Sequence, residues 1–374
     1  MAHNASQLKS LNGIRGFAVL LVLLSHASND GVLLSENINF SGAGHYGVFL
    51  FFVLSSFLLT RQFLVSERKE IFSKKFLHHY FLRRFLRIYP LFLAALIVYY
   101  LLNKLGLFIV PVTGKMIAKS LFLLDAEGLF WTVPVEFQFY FVLPIVAYLL
   151  AVHCKIVVKI VGCSLFCISW TYFFPPEYSV VVMPFIPVFV LGSLAAACYV
   201  SLENRAGFLI CNRPVYYDLF AFLSMLLFIL LVPRIHSFLL PTIFSGLDMQ
   251  HQFIFWGLLS SIFVFTVLCS NGVMRKLFES SFLVFWGKVS YSAYLGHKMM
   301  LAFVNELDFV SSPVQFVLFF ALTALLSFFS YRYFERPLLN LGMFNKVIST
   351  MNFGGYLMKG RLGKKLCIQQ DGEK

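Results

Sequence analysis

The sequence has few charged residues for its length. Only 13% of its 374 residues are Asp, Glu, Lys or Arg, about half of the roughly 25% that is typical of soluble domains. Hydrophobic residues make up 59% of the chain, and the mean hydropathy is +0.81. This composition excludes a water-soluble enzyme and indicates a protein that lies mostly in lipid.

The sequence also lacks the cysteine patterns of disulfide and metal sites. Its seven cysteines form no Cys-x-x-Cys pair and no Cys/His ligand spacing. Several lie inside apolar stretches, where a thiol acts as a small hydrophobic group. The sequence therefore predicts neither a disulfide scaffold nor a metal site.

Acidic residues are outnumbered by basic ones, 17 to 30, which gives a formal charge of +13. In a soluble protein this excess would suggest nucleic acid as a partner. Here the cations lie mostly between apolar runs, where they mark membrane topology. We therefore expect membrane lipid and not nucleic acid around the chain.

Long apolar runs dominate the sequence. A helix needs about 20 mostly apolar residues to span a bilayer. The first run lacks a cleavage-site pattern after it, so we interpret it as a membrane helix and not as a removable signal peptide. The predicted fold is an all-α, polytopic membrane helix bundle of about ten transmembrane helices. The runs cover residues 11–28, 45–64, 87–108, 129–151, 156–174, 180–200, 215–233, 252–270, 282–303 and 313–333.

Lys and Arg cluster after the second and the tenth runs, which predicts that these segments are cytoplasmic. Ten passes then place both termini in the cytoplasm. Residues 1–337 are predicted to form one membrane domain, and residues 338–374 a basic cytoplasmic tail. Proline and glycine inside the runs predict kinked or broken helices, and the fourth run is predicted to be partly re-entrant. These residues are Pro134, Pro144, Pro184, Pro187 and Gly192.

Arg15 and His26 lie in the first run, eleven residues apart. They therefore share one helix face and are separated by roughly 16 Å along the axis. This geometry suits an anionic ligand near Arg15 and chemistry at His26, deeper in the membrane. The structural alternatives are an Arg15 that snorkels to the headgroups and a His26 that hydrogen-bonds a neighbouring helix.

Glu136 lies in the fourth run with Gln138 and Tyr140. Charged groups at membrane depth are costly, so we expect Glu136 to face the bundle interior and to have a cationic or histidine partner. A purely structural ion pair is the alternative.

Arg84 and Arg87, spaced i, i+3, share a helix face at the predicted cytoplasmic boundary. Two guanidiniums there can hold phosphate, although charges that flank a membrane helix are a simpler explanation. His297 and Lys298 interrupt an apolar run, which indicates a lined cavity. Glu335 and Arg336, which follow each other after the tenth run, are interpreted as a weak local ion pair.

Six blocks occur in the order in which one known family has them. They read LNGIRGFAVLLVLLSHA, GVFLFFVLSSFLLT, RRFLRIYP, FWTVPVEFQFY, SYSAYLGH and ERP. With these blocks the chain resembles the acyltransferase 3 family of bacterial membrane acyltransferases, which move an acyl group, usually acetyl from acetyl-CoA, onto sugars of surface or secreted polysaccharides. The resemblance implies a multi-pass protein of the bacterial inner membrane with a glycan or lipid-linked sugar as acceptor. It also implies the standalone form, without the SGNH-type domain of some relatives.

The resemblance also implies a set of essential residues. The family's Arg-x10-His element falls on Arg15 and His26, its Arg-x-x-Arg element on Arg84 and Arg87, and its glutamate on Glu136. Five positions depart from the family pattern, and three of them lose an acidic residue. These losses predict an altered acceptor, a re-paired site or reduced activity. The departures are Asn12, Phe49, Ser56, Phe137 and Gly296.

Acyl transfer to a hydroxyl needs a base and a polar setting for the oxyanion. We expect His26 to be the base and Glu136 to hold its imidazole in one tautomer, with Arg15 in the same site. Arg15 and the arginine pair, Arg84 and Arg87, are expected to bind the phosphates of acetyl-CoA. Further candidates for the site are His297, Tyr140 and Gln138.

A transporter or flippase of lipid-linked sugars is the alternative function, with intramembrane His and Glu serving proton coupling. Transporters often consist of paired halves, and the sequence shows no such symmetry. The identity of the acyl group, the acceptor, an acyl-enzyme intermediate and the oligomeric state are left open by the sequence.

Overall fold

The computed structural model describes residues 2–66, 73–107, 110, 112–123, 126, 128–152, 154–205, 214–235 and 249–339. Within these ranges the chain is helical and contains no strand. The helices are α1 (Ala2–Asn29), α2 (Gly44–Val65), α3 (Lys74–Lys104), α4 (Gly114–Leu121), α5 (Thr132–Leu150), α6 (Ile156–Phe173), α7 (Ile186–Arg205), α8 (Pro214–Leu230), α9 (Phe253–Cys269), α10 (Val273–Phe278), α11 (Ser281–Lys288), α12 (Ser290–Asn305), α13 (Ser312–Ser330) and α14 (Arg336–Leu339).

Seven helical stretches in the described residues are long and apolar enough to cross a membrane. Helices α8 and α9 are apolar but shorter. The predicted all-α, multi-pass architecture is confirmed, whereas the count of ten and the side of the termini stay predictions. The seven stretches are Lys9–Asn29, Gly44–Val65, Lys74–Lys104, Gly128–Leu150, Ile156–Phe173, Met183–Glu203 and Ser312–Leu339.

Helices α1, α2, α5, α7 and α9 supply most of the buried core. Helices α6 and α13 lie at the periphery, with only 6% and 17% of their most apolar windows buried. Their exposed side chains are largely apolar, as expected for surfaces that face lipid. The central helices therefore position the polar residues, and the peripheral ones enclose them.

The ninth apolar run, predicted as one helix over 282–303, is divided in two. Helix α11 ends at Lys288 and α12 begins at Ser290. Before this break, α11 approaches α1 so closely that a Cβ atom at Gly287 would overlap the carbonyl oxygen of Asn12. A glycine allows this backbone contact, as is common where membrane helices pack tightly.

The prolines inside the apolar runs lie mostly at the starts of helices. Pro134 lies in the first turn of α5, where a missing N–H costs no helical hydrogen bond. Helix α5 continues through Pro144 to Leu150, so the predicted re-entrant segment is a continuous helix. Pro184 and Pro187 lie in the short turn before α7 and in its first turn.

Helix α3 begins at Lys74, well before the start at 87 that hydropathy predicts. Its first turns are rich in Lys, His and Arg, whose apolar stems can lie along the bundle while their charges reach water. Arg84 and Arg87 therefore lie inside the helix and not at its start. The predicted tail falls outside the described residues except for the last two residues of α14.

Candidate active site

A cavity lies between α1, α2, α3, α5 and α12. Its volume is about 720 Å³ when the open space at its mouth is included. Apolar residues of α2 line one wall. We call it the arginine cavity because its charged lining residues are Arg15, Arg84, Arg87 and Glu136.

The charges in the arginine cavity do not balance. Three guanidiniums share it with one carboxylate. Among the described residues, no hydrogen bond or ion pair joins Arg15, Arg84 or Arg87 to Glu136, and the buried Nε of Arg84 has no hydrogen-bond partner. Cations in apolar surroundings need a counter-charge. The cavity is therefore complementary to an anion with several oxygen acceptors, such as a phosphate.

Hydroxyl groups hold the carboxylate of Glu136. Ser55 Oγ and the Tyr140 hydroxyl each donate a hydrogen bond of 2.6 Å to Glu136 Oε1. The Tyr80 hydroxyl donates to the Tyr140 carbonyl oxygen at 3.0 Å and so connects α3 to α5. The structure thus places Tyr140, a candidate from the sequence, in direct contact with Glu136.

Gln138 has a different position. Its Nε2 donates to the Val180 carbonyl oxygen and its Oε1 accepts from the Val182 N–H, each at 2.9 Å. These two bonds attach α5 to the segment before α7. Gln138 is not among the residues that line the arginine cavity.

His26 lies farther along α1 than the arginine cavity. It is eleven residues, or roughly 16 Å, from Arg15. Its ring centroid lies 5.0 Å from that of His297, at an interplanar angle of 37°. The expected contact between Glu136 and His26 is absent from the described residues, because Ser55 and Tyr140 hold the carboxylate in the arginine cavity.

Tyr294 connects the two regions. It lines the arginine cavity, and its ring centroid is 6.1 Å from that of His297. Its hydroxyl donates to the Leu129 carbonyl oxygen at 2.8 Å and accepts from Thr132 Oγ1 at 3.0 Å. Tyr294 therefore lies between the arginine cavity and His297, whose ring is next to that of His26.

We call the region around His26 and His297 the histidine end. The imidazole ring of His45, at the start of α2, packs against the ring of Tyr178 with a centroid distance of 4.2 Å and an interplanar angle of 36°. Lys298 Nζ forms an ion pair with Asp30 Oδ2 at 3.0 Å, just beyond α1. Lys298 thus has a partner at the surface and does not line the arginine cavity.

Glu335 and Arg336 do not form the local pair that the sequence suggests. Glu335 is buried and accepts a hydrogen bond from Ser292 Oγ, whereas Arg336 is exposed. A π-helical turn over Tyr331–Glu335 precedes α14, and such a turn changes the direction of its side chains relative to an α-helix. The sequence therefore did not reveal the buried position of Glu335 or the contacts of Ser55 and Tyr294, because these depend on how the helices pack.

Two departures from the family pattern are explained by aromatic packing. Phe49 is fully buried, with its ring centroid 5.0 Å from that of Phe253. Phe137 packs near Phe85 and Tyr140. Neither side chain lines the arginine cavity, so Glu136 is the one carboxylate among its lining residues.

The family assignment follows from the match of the whole membrane part. Residues 8–332 match the family model described as an acyltransferase domain of the acyltransferase 3 type. The chain belongs to the acyltransferase 3 family. The resemblance seen in the six sequence blocks is thereby confirmed.

The comparison with curated proteins gives a distant relative. The chain is 24% identical over 396 residues to the peptidoglycan O-acetyltransferase OatA of Listeria monocytogenes serovar 1/2a. The match covers 96% of this chain and 60% of the relative, so the chain spans less than two thirds of that protein's length. No solved structure matches the chain.

Proposed function

We propose that this acyltransferase 3 protein moves an acetyl group from acetyl-CoA to a hydroxyl of a cell-surface or exported glycan. The observation that carries the proposal is the arginine cavity, whose three guanidiniums outnumber its one carboxylate and whose Arg15 lies about three helical turns from His26 along α1. One region suits a phosphate-bearing donor and the other suits proton transfer.

The donor's phosphates bind Arg15, Arg84 and Arg87 in this proposal. Arginine suits this task because its planar donors match the oxygen atoms of phosphate. The acetyl thioester, at the end of the flexible arm of CoA, passes Tyr294 and reaches the histidine end. The bias of Lys and Arg toward the connection after α2 supports a cytoplasmic position for the arginine cavity.

The transfer itself is direct. A glycan hydroxyl attacks the thioester carbonyl carbon, and its proton goes to the unprotonated nitrogen of His26. The tetrahedral intermediate then collapses, the C–S bond breaks, and the proton on His26 passes to the leaving CoA sulfur. The products are the O-acetyl ester and free CoA, and His26 returns to its neutral form.

The acceptor approaches the histidine end, opposite the donor's phosphates. The related OatA is named for peptidoglycan, so peptidoglycan is the first acceptor to test. A transporter would use the same His and Glu for proton coupling, but it has no need for a cluster of three arginines that fits a CoA phosphate.

Transfer of radiolabel from acetyl-CoA tests this function. Membranes that contain the protein are incubated with labelled acetyl-CoA and glycan, and matched membranes without it serve as the control. We expect label on the glycan only with the protein present. Unlabelled glycan, together with sugar export that depends on the proton gradient, would favour the transporter instead.

A further inference from the structure

His297 has a defined tautomer. Its side chain is fully buried, and its Nδ1 lies 2.7 Å from the carbonyl oxygen of Tyr294 and 3.2 Å from that of Ala293. A carbonyl oxygen only accepts hydrogen bonds, so Nδ1 of the neutral ring carries the proton. The other nitrogen, Nε2, therefore has a free lone pair.

This lone pair has no partner among the described residues. His297 Nε2 is buried and accepts no hydrogen bond. Buried polar atoms are rarely left unpaired, and each exception calls for an explanation such as a catalytic role. The observation points to a hydrogen bond that forms only when the site is occupied, since catalytic contacts in unliganded sites are often incomplete.

His26 is the neighbour that can supply the missing donor. The two ring centroids lie 5.0 Å apart, a separation at which ring nitrogens that face each other are within hydrogen-bond range. The ion pair of Lys298 with Asp30, at 3.0 Å, joins α12 to the end of α1 beside these rings. The two histidines are thus held next to each other by their helices.

We propose that His297 is the positioning residue for His26, an inference that rests on the proposed function. His297 Nε2 accepts a hydrogen bond from one nitrogen of His26, so the other nitrogen of His26 is unprotonated and faces the substrate. This is the role that sequence reasoning gave to Glu136. His297 stays neutral throughout, while His26 takes the hydroxyl proton and later gives it to the CoA sulfur.

Two other groups are less suited to this role. Glu136 already accepts hydrogen bonds from Ser55 and Tyr140. His45 also has a buried nitrogen, Nδ1, without a hydrogen-bond partner among the described residues, but its ring packs against that of Tyr178 at a tilt of 36°. His45 therefore provides a matched control, because it is a second imidazole near His26 without the ring contact that His297 makes.

The test compares His297→Leu, His297→Gln and His45→Leu. Leu removes the acceptor, whereas Gln offers an amide oxygen to His26. We expect His297→Leu to lower kcat about 10- to 100-fold, as the loss of a hydrogen bond that orients a functional histidine does, with an unchanged KM for acetyl-CoA. His297→Gln should recover most of the loss, and His45→Leu should stay within about threefold of the wild type.

A second measurement is independent of acetyl transfer. Diethyl pyrocarbonate modifies unprotonated imidazole, and mass spectrometry follows its rate at His26. We expect this rate to fall several-fold in His297→Leu and to recover in His297→Gln. If the wild type transfers no acetyl group, the proposed function fails, yet the labelling rate still tests the contact between the two histidines.

Three outcomes would overturn the inference. In the first, His297→Leu keeps wild-type kcat and labelling. In the second, both His297 variants lose activity equally while labelling of His26 is unchanged, which shows a structural role. In the third, His45→Leu causes the larger loss. Should His297→Leu not accumulate in the membrane, His297→Met carries the same expectations.

Discussion

The two ends of the polar face of α1 are surrounded by different kinds of side chain. Near Arg15, the helix faces two further guanidiniums and a carboxylate that is bonded to hydroxyl groups. Near His26, it faces the fully buried imidazole of His297. One end therefore attracts an anion and the other suits proton transfer. In the proposed function, this single helix separates donor binding from chemistry by about three turns.

Substitution of His26 should give the largest effect, because it removes the chemistry and leaves the anion site intact. We expect His26→Ala and His26→Gln to lower kcat by roughly 10²- to 10⁴-fold, the usual contribution of a general base. Binding of acetyl-CoA, measured at equilibrium, should stay at the wild-type level. Near wild-type turnover in either variant would remove His26 from the role of base.

Loss of the arginine pair should affect the binding of acetyl-CoA, in contrast to the effect of His26 on kcat. The double change Arg84→Ala and Arg87→Ala removes two charged partners of the phosphates. We expect the Kd for acetyl-CoA to rise at least about 100-fold, since hydrogen bonds to charged groups contribute roughly 1.5–3 kcal/mol each. The difference from wild type should shrink at high salt, which screens ionic contacts.

Arg83→Ala is the matched control for this pair. It makes the same chemical change one residue away, at a side chain that does not line the arginine cavity. Its Kd should stay close to that of the wild type. Equal weakening by the control and the double variant would place the nucleotide elsewhere.

Glu136→Gln tests whether the carboxylate acts on the donor's phosphates or on His26. The change removes the negative charge from the arginine cavity and keeps an acceptor for Ser55 and Tyr140. We expect acetyl-CoA to bind a few-fold tighter, because a like charge no longer opposes its phosphates. An unchanged Kd with a loss of kcat as large as that of His26→Gln would show that Glu136 acts on His26 after all.

The ion pair between Lys298 and Asp30 should have the smallest effect. It is partly exposed, with side-chain exposures of 19% and 31%, and such pairs contribute roughly 0–1 kcal/mol. We expect Asp30→Asn to leave Tm nearly unchanged and turnover within about threefold of the wild type. A larger loss of turnover would mean that this pair fixes the separation of His26 and His297.

The sequence predicted what depends on a single helix. The shared face of Arg15 and His26 follows from helical periodicity, and the pairing of Arg84 with Arg87 follows from their spacing. Hydropathy also predicted the all-helical fold and the polar interior position of Glu136. These inferences need no knowledge of how helices pack.

Contacts between helices were not predictable in the same way. The contact of Glu136 with Ser55 depends on how α5 packs against α2, and that of His26 with His297 depends on how α12 packs against α1. The break before Ser290 and the turn of Glu335 toward Ser292 arise from backbone geometry that apolar periodicity does not encode. Hydropathy registers an uninterrupted run of apolar residues, whether or not the helix is continuous.

Acetyl transfer across a sealed membrane tests whether the donor and the acceptor reach His26 from opposite sides. Proteoliposomes are sorted so that the arginine cavity faces inward, with labelled acetyl-CoA inside and glycan fragments only outside. We expect label on the outer glycan with the wild-type protein and little label with His26→Gln. The transfer should not require a proton gradient. Label that appears only when donor and glycan share one compartment would contradict this expectation.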